Sequence, residues 1–158
     1  MTKQSAYIET TVIGHLTGRI LDDAIIAGRQ KVTRLWWPDA VSRYDLFVST
    51  VVADECSAGN AEAATERMEI VNSVAFLRIS PLVDELAAHL ISKRAVPPTE
   101  PRDALHIALA AVNGIEYLVS WNFKHIVNPS TRIAIERICL AAGYTPPMIC
   151  TPDELLES

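Results

Sequence analysis

The sequence predicts an α/β fold, a three-layer α/β/α sandwich around a central, mainly parallel sheet. Short apolar runs of strand length alternate with longer runs of helical spacing along the whole chain, the pattern of parallel strands joined by crossover helices. The stretch Glu100–Phe123 contains a helix that is apolar nearly all round, a break at Gly114 and a strand, Glu116–Ser120. A helix apolar on every side is a buried helix. Polar residues also recur where strands end, at Glu9 and at Ser120, Trp121 and Asn122; the carboxyl ends of strands are where open α/β sheets meet ligands.

The elements follow in order. Ser5–Glu9 reads as a strand, and Val12, Ile13, Leu16 and Ile20 then take helical spacing. Leu21–Arg43 continues in helical style, with Gly18 and Asp22-Asp23 marking a boundary before it and Pro38 a break or kink within it. Asp45–Ser49 is an apolar strand, with Ser49 or Thr50 to cap a helix Val51–Ala58. Asn60 caps another helix to about Ile70, and a third strand falls at Phe76–Ile79. Pro81 opens a helix to about Arg94, and the prolines of Ala95–Pro101 make a stiff connector. Beyond Asn122 come a turn, a helix Ser130–Ala142 ended by Gly143, an edge strand Met148–Cys150 and a short helix with a capping box at Thr151 and Glu154.

At 158 residues the chain fits a single domain, 1–158, able to bury roughly 68–70% of its unfolded surface. Apolar residues at 49% against 21% charged give a globular rather than a disordered composition. The absence of a membrane-length apolar run or a signal-peptide core leads to the expectation of a soluble, cytoplasmic protein. Cys56, Cys139 and Cys150 form no CxxC pair, so reduced, buried thiols are expected rather than disulfides or a zinc site. A net charge of −5 argues against a broad nucleic-acid-binding face.

Asp103 sits in the first turn of the buried helix, where an ionised carboxylate is costly unless something binds it. Parallel strands bring their carboxyl ends to one edge, so Glu9, Asp103 and Asn122 are expected to converge, with Glu55 close by. Any one of these acids reads equally as a solvated surface group or helix cap. Together they repel unless protons or cations intervene, and magnesium or manganese suits oxygen ligands that have no cysteine beside them. His106 shares a helix face with Asp103 and reads either as a hydrogen-bonded core histidine or as a ligand. Trp36-Trp37 reads as core or as an aromatic patch for a partner helix.

Three segments, YIETTVIG, STVVADEC and PRDALHIALAAVNGIEYLVSWNFKHI, resemble in order the PIN-domain ribonucleases, and within them the VapC-type toxins of bacterial toxin–antitoxin pairs. The resemblance implies a metal-dependent endoribonuclease using Mg²⁺ or Mn²⁺. Glu9, Glu55 and Asp103 match its catalytic and metal-binding acids, Asn122 its fourth acid, and Thr11 and Ser120 its supporting hydroxyls. It further implies an RNA substrate, a cognate antitoxin and a homodimer. Glu9 stands where the family has aspartate and adds a methylene; Asn122 keeps an oxygen without the charge, so one well-bound ion is expected. For RNA, the candidates are Arg102, Trp121, Lys124 and His125, through charge and aromatic stacking. The alternative function is a catalytically silent module that binds RNA or a protein partner through the same acidic cleft.

Overall fold

The structure, a computed structural model, describes residues 2–156. Five strands, β1 (Gln4–Ile8), β2 (Tyr44–Ser49), β3 (Ala75–Leu77), β4 (Tyr117–Val119) and β5 (Met148–Cys150), form one parallel sheet in the order β3-β2-β1-β4-β5. Seven helices join them: α1 (Thr10–Leu16), α2 (Ala24–Arg43), α3 (Thr50–Cys56), α4 (Ala61–Val71), α5 (Pro81–Ser92), α6 (Pro101–Val112) and α7 (Pro129–Ala141). A short 3-10 helix, Pro152–Leu155, ends the described chain.

Right-handed crossovers put connections running one way across a sheet on one face and those running back on the other. The packing follows this rule: α1 touches α2, α3 and α4, while α5 packs on α6 and α7. This is the expected three-layer α/β/α arrangement. From β1 the chain turns toward β2, and from β4 it turns toward β5 on the opposite side. Their carboxyl ends, in register at Ile8 and Val119, therefore flank the crevice where the strand order reverses.

Side-chain caps fix where five of the seven helices start, α1 and α6 being the exceptions. Asp23 accepts from the backbone N–H groups of Ile25 and Ile26, Ser49 from Val52, Asn60 from Ala63, Ser80 from Val83 and Asn128 from Thr131. Proline occupies the first helical turn in α5, α6 and α7, where its missing donor costs nothing. Gly114 at φ +67° turns the chain from α6 toward β4.

Two expectations are corrected. Helix α2 runs unbroken through Pro38, because its buried face, with Trp36 and Ala40 on either side of the proline, is held by the core. The third strand is Ala75–Leu77 rather than Phe76–Ile79, set by its pairing of Phe47 with Ala75 and Ser49 with Leu77. Of the two readings left open for Trp36-Trp37, Trp36 takes the core one, fully buried, while Trp37 is half-buried against it. The three cysteines are free and buried, as expected. No helix among the described residues is long and apolar enough to cross a membrane.

Candidate active site

Glu9 follows β1 directly, its N–H donating to Val119 O at 3.0 Å. Its side chain is 3% exposed. Oε1 accepts from Thr11 Oγ1 at 2.5 Å and from Ser120 Oγ at 2.6 Å. Each hydroxyl in turn accepts a backbone N–H, Thr11 Oγ1 from Trp121 and Ser120 Oγ from Asn122, both at 2.9 Å. With their lone pairs engaged this way, the two hydroxyl protons have Glu9 as their acceptor. The polar end of β4 thus orients the acid at the end of β1.

Glu55 lies on α3, half-buried, and its Oε1 accepts from Thr10 Oγ1 at 2.8 Å. His106 Nε2 meets the same oxygen at 2.6 Å. The imidazole is fully buried, and its Nδ1 lies 2.6 Å from Tyr7 Oη, which lies 2.8 Å from Ser49 Oγ. Burial works to raise the Glu55 carboxyl, but the hydrogen bond from His106, the Thr10 hydroxyl and Arg102 outweigh it, and its pKa falls below the ordinary value. Glu55 is therefore a carboxylate at neutral pH.

Asp103, in the first turn of α6, is 8% exposed. Its Oδ2 lies 2.9 Å from His125 Nδ1. The turn carrying His125 is itself capped by Asn122, whose Oδ1 accepts the His125 N–H at 3.0 Å while its carbonyl accepts from Ile126 and Val127. One amide oxygen at position 122 is thus already committed to holding the turn.

An open cleft of about 510 Å³ is lined by Glu9, Glu55, Asp103 and Asn122 together with Thr10, Thr11, His15, Gln30 and Arg67. The carboxylates at the end of β1 and on α3 and α6 therefore line one cavity. Closest approach divides them. Within 4.8 Å of one another, side-chain ligand atoms group as Glu9, Glu55 and His106, and separately as Glu100, Asp103 and His125. Among the described residues no lysine or arginine forms an ion pair with Glu9, Glu55 or Asp103. Each of the three acids has one oxygen held by side-chain donors, and its second oxygen makes no hydrogen bond among the described residues. Carboxylates so placed, Glu9 and Asp103 buried and Glu55 half-buried, fit an oxygen-seeking divalent cation, for which each offers one open ligand atom.

The candidate RNA contacts fare differently. Arg102 and Lys124 are exposed. Trp121 is not available for stacking: it is 7% exposed, donates Nε1–H to Thr33 Oγ1 at 2.8 Å, and lies beneath His15 with ring centroids 6.0 Å apart. Arg29 stands over Trp121 and over the more exposed Phe123 at 4.6 Å from the latter's centroid. His125 is half-buried, with its Nδ1 engaged by Asp103.

The sequence reading missed Thr10, His15 and Arg67. Thr10 has a local signal, since neighbours in a helix point about 100° apart and two adjacent threonines can serve two different acids. His15 lies one helical turn beyond Thr11, to whose carbonyl its Nδ1 donates at 2.6 Å. Burial chiefly lowers its pKa, so the imidazole is neutral at pH 7 with Nε2 as its acceptor. Arg67 has no local signal: it reaches from α4 to donate to the carbonyls of Cys56 and Ala58.

Comparison with family models finds no match, and comparison with curated proteins finds none either. Solved structures do match. The chain is similar to VapC20 of Mycobacterium tuberculosis, described as a sarcin–ricin loop cleaving toxin, with 17% identity and a TM-score of 0.59 over 89% of this chain and 97% of that one. It is also similar to VapBC2 of Rickettsia felis bound to a DNA fragment from their promoter, with 13% identity and a TM-score of 0.58 over 94% and 98% of the two chains. At such identities the likeness is one of fold, a VapC-type PIN fold spanning nearly the whole chain.

Proposed function

We propose that this protein is a Mg²⁺- or Mn²⁺-dependent endoribonuclease, the toxin of a toxin–antitoxin pair. The observation behind this reading is the cleft at the strand-order reversal, where Glu9, Glu55 and Asp103 each present one open carboxylate oxygen with no lysine or arginine paired to them. These three would hold the cation, which when bound supplies an activated water and neutralises phosphodiester charge. The chain's own groups do the positioning. Thr11 and Ser120 orient Glu9, Thr10 and His106 orient Glu55, and His125 orients Asp103. Arg67 keeps Nε and Nη2 on backbone carbonyls, so Nη1 remains to meet a phosphate. His15 Nε2 can take up a proton in the cleft.

Support comes from the neighbours' descriptions, one of a toxin that cleaves the sarcin–ricin loop and one of a VapBC complex on its promoter. An acidic cleft on a chain of net charge −5 suits the basic tail of an antitoxin. A homodimer and a cytoplasmic location belong to the same reading. The engagement of Asn122 Oδ1 in its own turn favours a second reading, a silent module that binds RNA or a protein through the cleft.

Calorimetry with Mn²⁺, RNA cleavage and growth inhibition, each run on the parent and on Asp103→Asn, separate the two. The expected result is one bound ion and cleavage in the parent, with both lost in the variant. A variant as toxic as the parent would defeat the nuclease reading, and a parent that ignores millimolar Mn²⁺ would favour the silent module.

A further inference from the structure

The buried hydrogen bonds behind Glu55 have only one direction that satisfies every group. Ser49 Oγ accepts the Val52 N–H at 3.3 Å, and among the described residues its only other hydrogen-bond partner is Tyr7 Oη at 2.8 Å. The Ser49 proton therefore goes to Tyr7. Tyr7 then spends its own proton on His106 Nδ1, 2.6 Å away. With Nδ1 accepting, the neutral ring carries its proton on Nε2, which donates to Glu55 Oε1 at 2.6 Å. Reversing the chain fails at both ends. A neutral ring protonated on Nδ1 would set two lone pairs against each other at the Glu55 contact. A ring protonated on both nitrogens would push the Tyr7 proton onto Ser49, leaving the buried Ser49 proton without an acceptor.

We propose that Tyr7, from the middle of the sheet, is a positioning residue for the cation site: it fixes His106 as an Nε2–H donor to Glu55. The proposal rests on the nuclease reading above. The Thr10 hydroxyl and His106 both end on Oε1, so the carboxylate is turned with Oε2 left open to a divalent ion. Ligand-orienting groups of this outer kind change metal affinity by about 10–100-fold when removed.

The test uses the full chain. Long-range ¹H–¹⁵N NMR of the metal-free parent should show His106 protonated at Nε2 and bare at Nδ1. Tyr7→Phe removes only the hydroxyl. It should let the Nδ1–H tautomer appear, weaken Mn²⁺ binding by calorimetry about tenfold or more, and lower kcat with little change in KM for RNA. A merely structural tyrosine would lower thermal stability and leave tautomer and affinity alone. Parental tautomer and affinity in Tyr7→Phe would overturn the proposal. So would an Nδ1–H ring in a parent that binds Mn²⁺, a result readable even if the variant does not fold. A parent that binds no Mn²⁺ overturns the underlying nuclease reading instead.

Discussion

Ser120 Oγ donates to Glu9 Oε1 across 2.6 Å, tying the end of β4 to the end of β1 at the crevice where the strand order reverses. The bond is buried, and the same hydroxyl accepts the Asn122 N–H. Ser120→Ala leaves both partners short of a hydrogen bond, which should cost about 1–3 kcal/mol in urea denaturation. Mn²⁺ affinity should weaken as well, because Glu9 retains only Thr11 to orient it. Unchanged affinity in a folded variant would mean that Ser120 serves the fold alone.

Ion binding should register as stability. A ligand that binds only the folded chain at 100 times its Kd adds about 2.7 kcal/mol, so saturating Mn²⁺ should raise the melting temperature of the parent and chelation should return it. Asp103→Asn should show no such rise.

Position 122 offers a gain-of-function test. Aspartate can accept the His125 N–H as asparagine does, so Asn122→Asp should keep the turn and add a negative charge to the cleft wall. Tighter Mn²⁺ binding and faster cleavage are expected. Asn122→Ala loses the cap and should cost about 1 kcal/mol. If Asn122→Asp altered neither binding nor rate, the residue would be a turn cap and nothing more.

Alkaline pH should destabilise the protein through its thiols. Burial raises Cys56 and Cys139 to about 11 and Cys150 to about 12, from an ordinary 9.0. A raised folded pKa means that the folded chain holds protons the unfolded chain has released. The stabilisation is complete below pH 9 and is lost as pH climbs through the folded values. The urea midpoint should therefore hold between pH 7.5 and 8.5, roughly, and fall above pH 9 or so, while iodoacetamide labels the native thiols far more slowly than the unfolded ones.

Much of this arrangement was legible in the sequence. Strand and helix alternation gave the parallel sheet, and the placement of Glu9 at a strand end and Asp103 in a first helical turn put both on one edge. What escaped depends on distant approach. Trp121 looked like a surface aromatic because polar residues surround it in sequence, yet its indole is buried by Thr33 and His15 of α2 and α1. The partner of Glu55, His106, lies 51 residues away on the opposite layer. Pro38 looked like a helix break because local propensity favours one, and only the burial of Trp36 and Ala40 overrides it.

The bond between Ser120 and Glu9 spans 111 residues, and this distance orders events during synthesis. Glu9 leaves the ribosome more than ninety residues before the helix bearing Asp103 and the strand that orients it. Domains form as their chain becomes available, and long-range parallel pairing is slow. A truncated or still-growing chain that stops short of β4 has acids but no assembled site. The acids are thereby kept from forming one site until β4 has been made, so an emerging chain short of that strand cannot bring Glu9 and Asp103 to a common cleft.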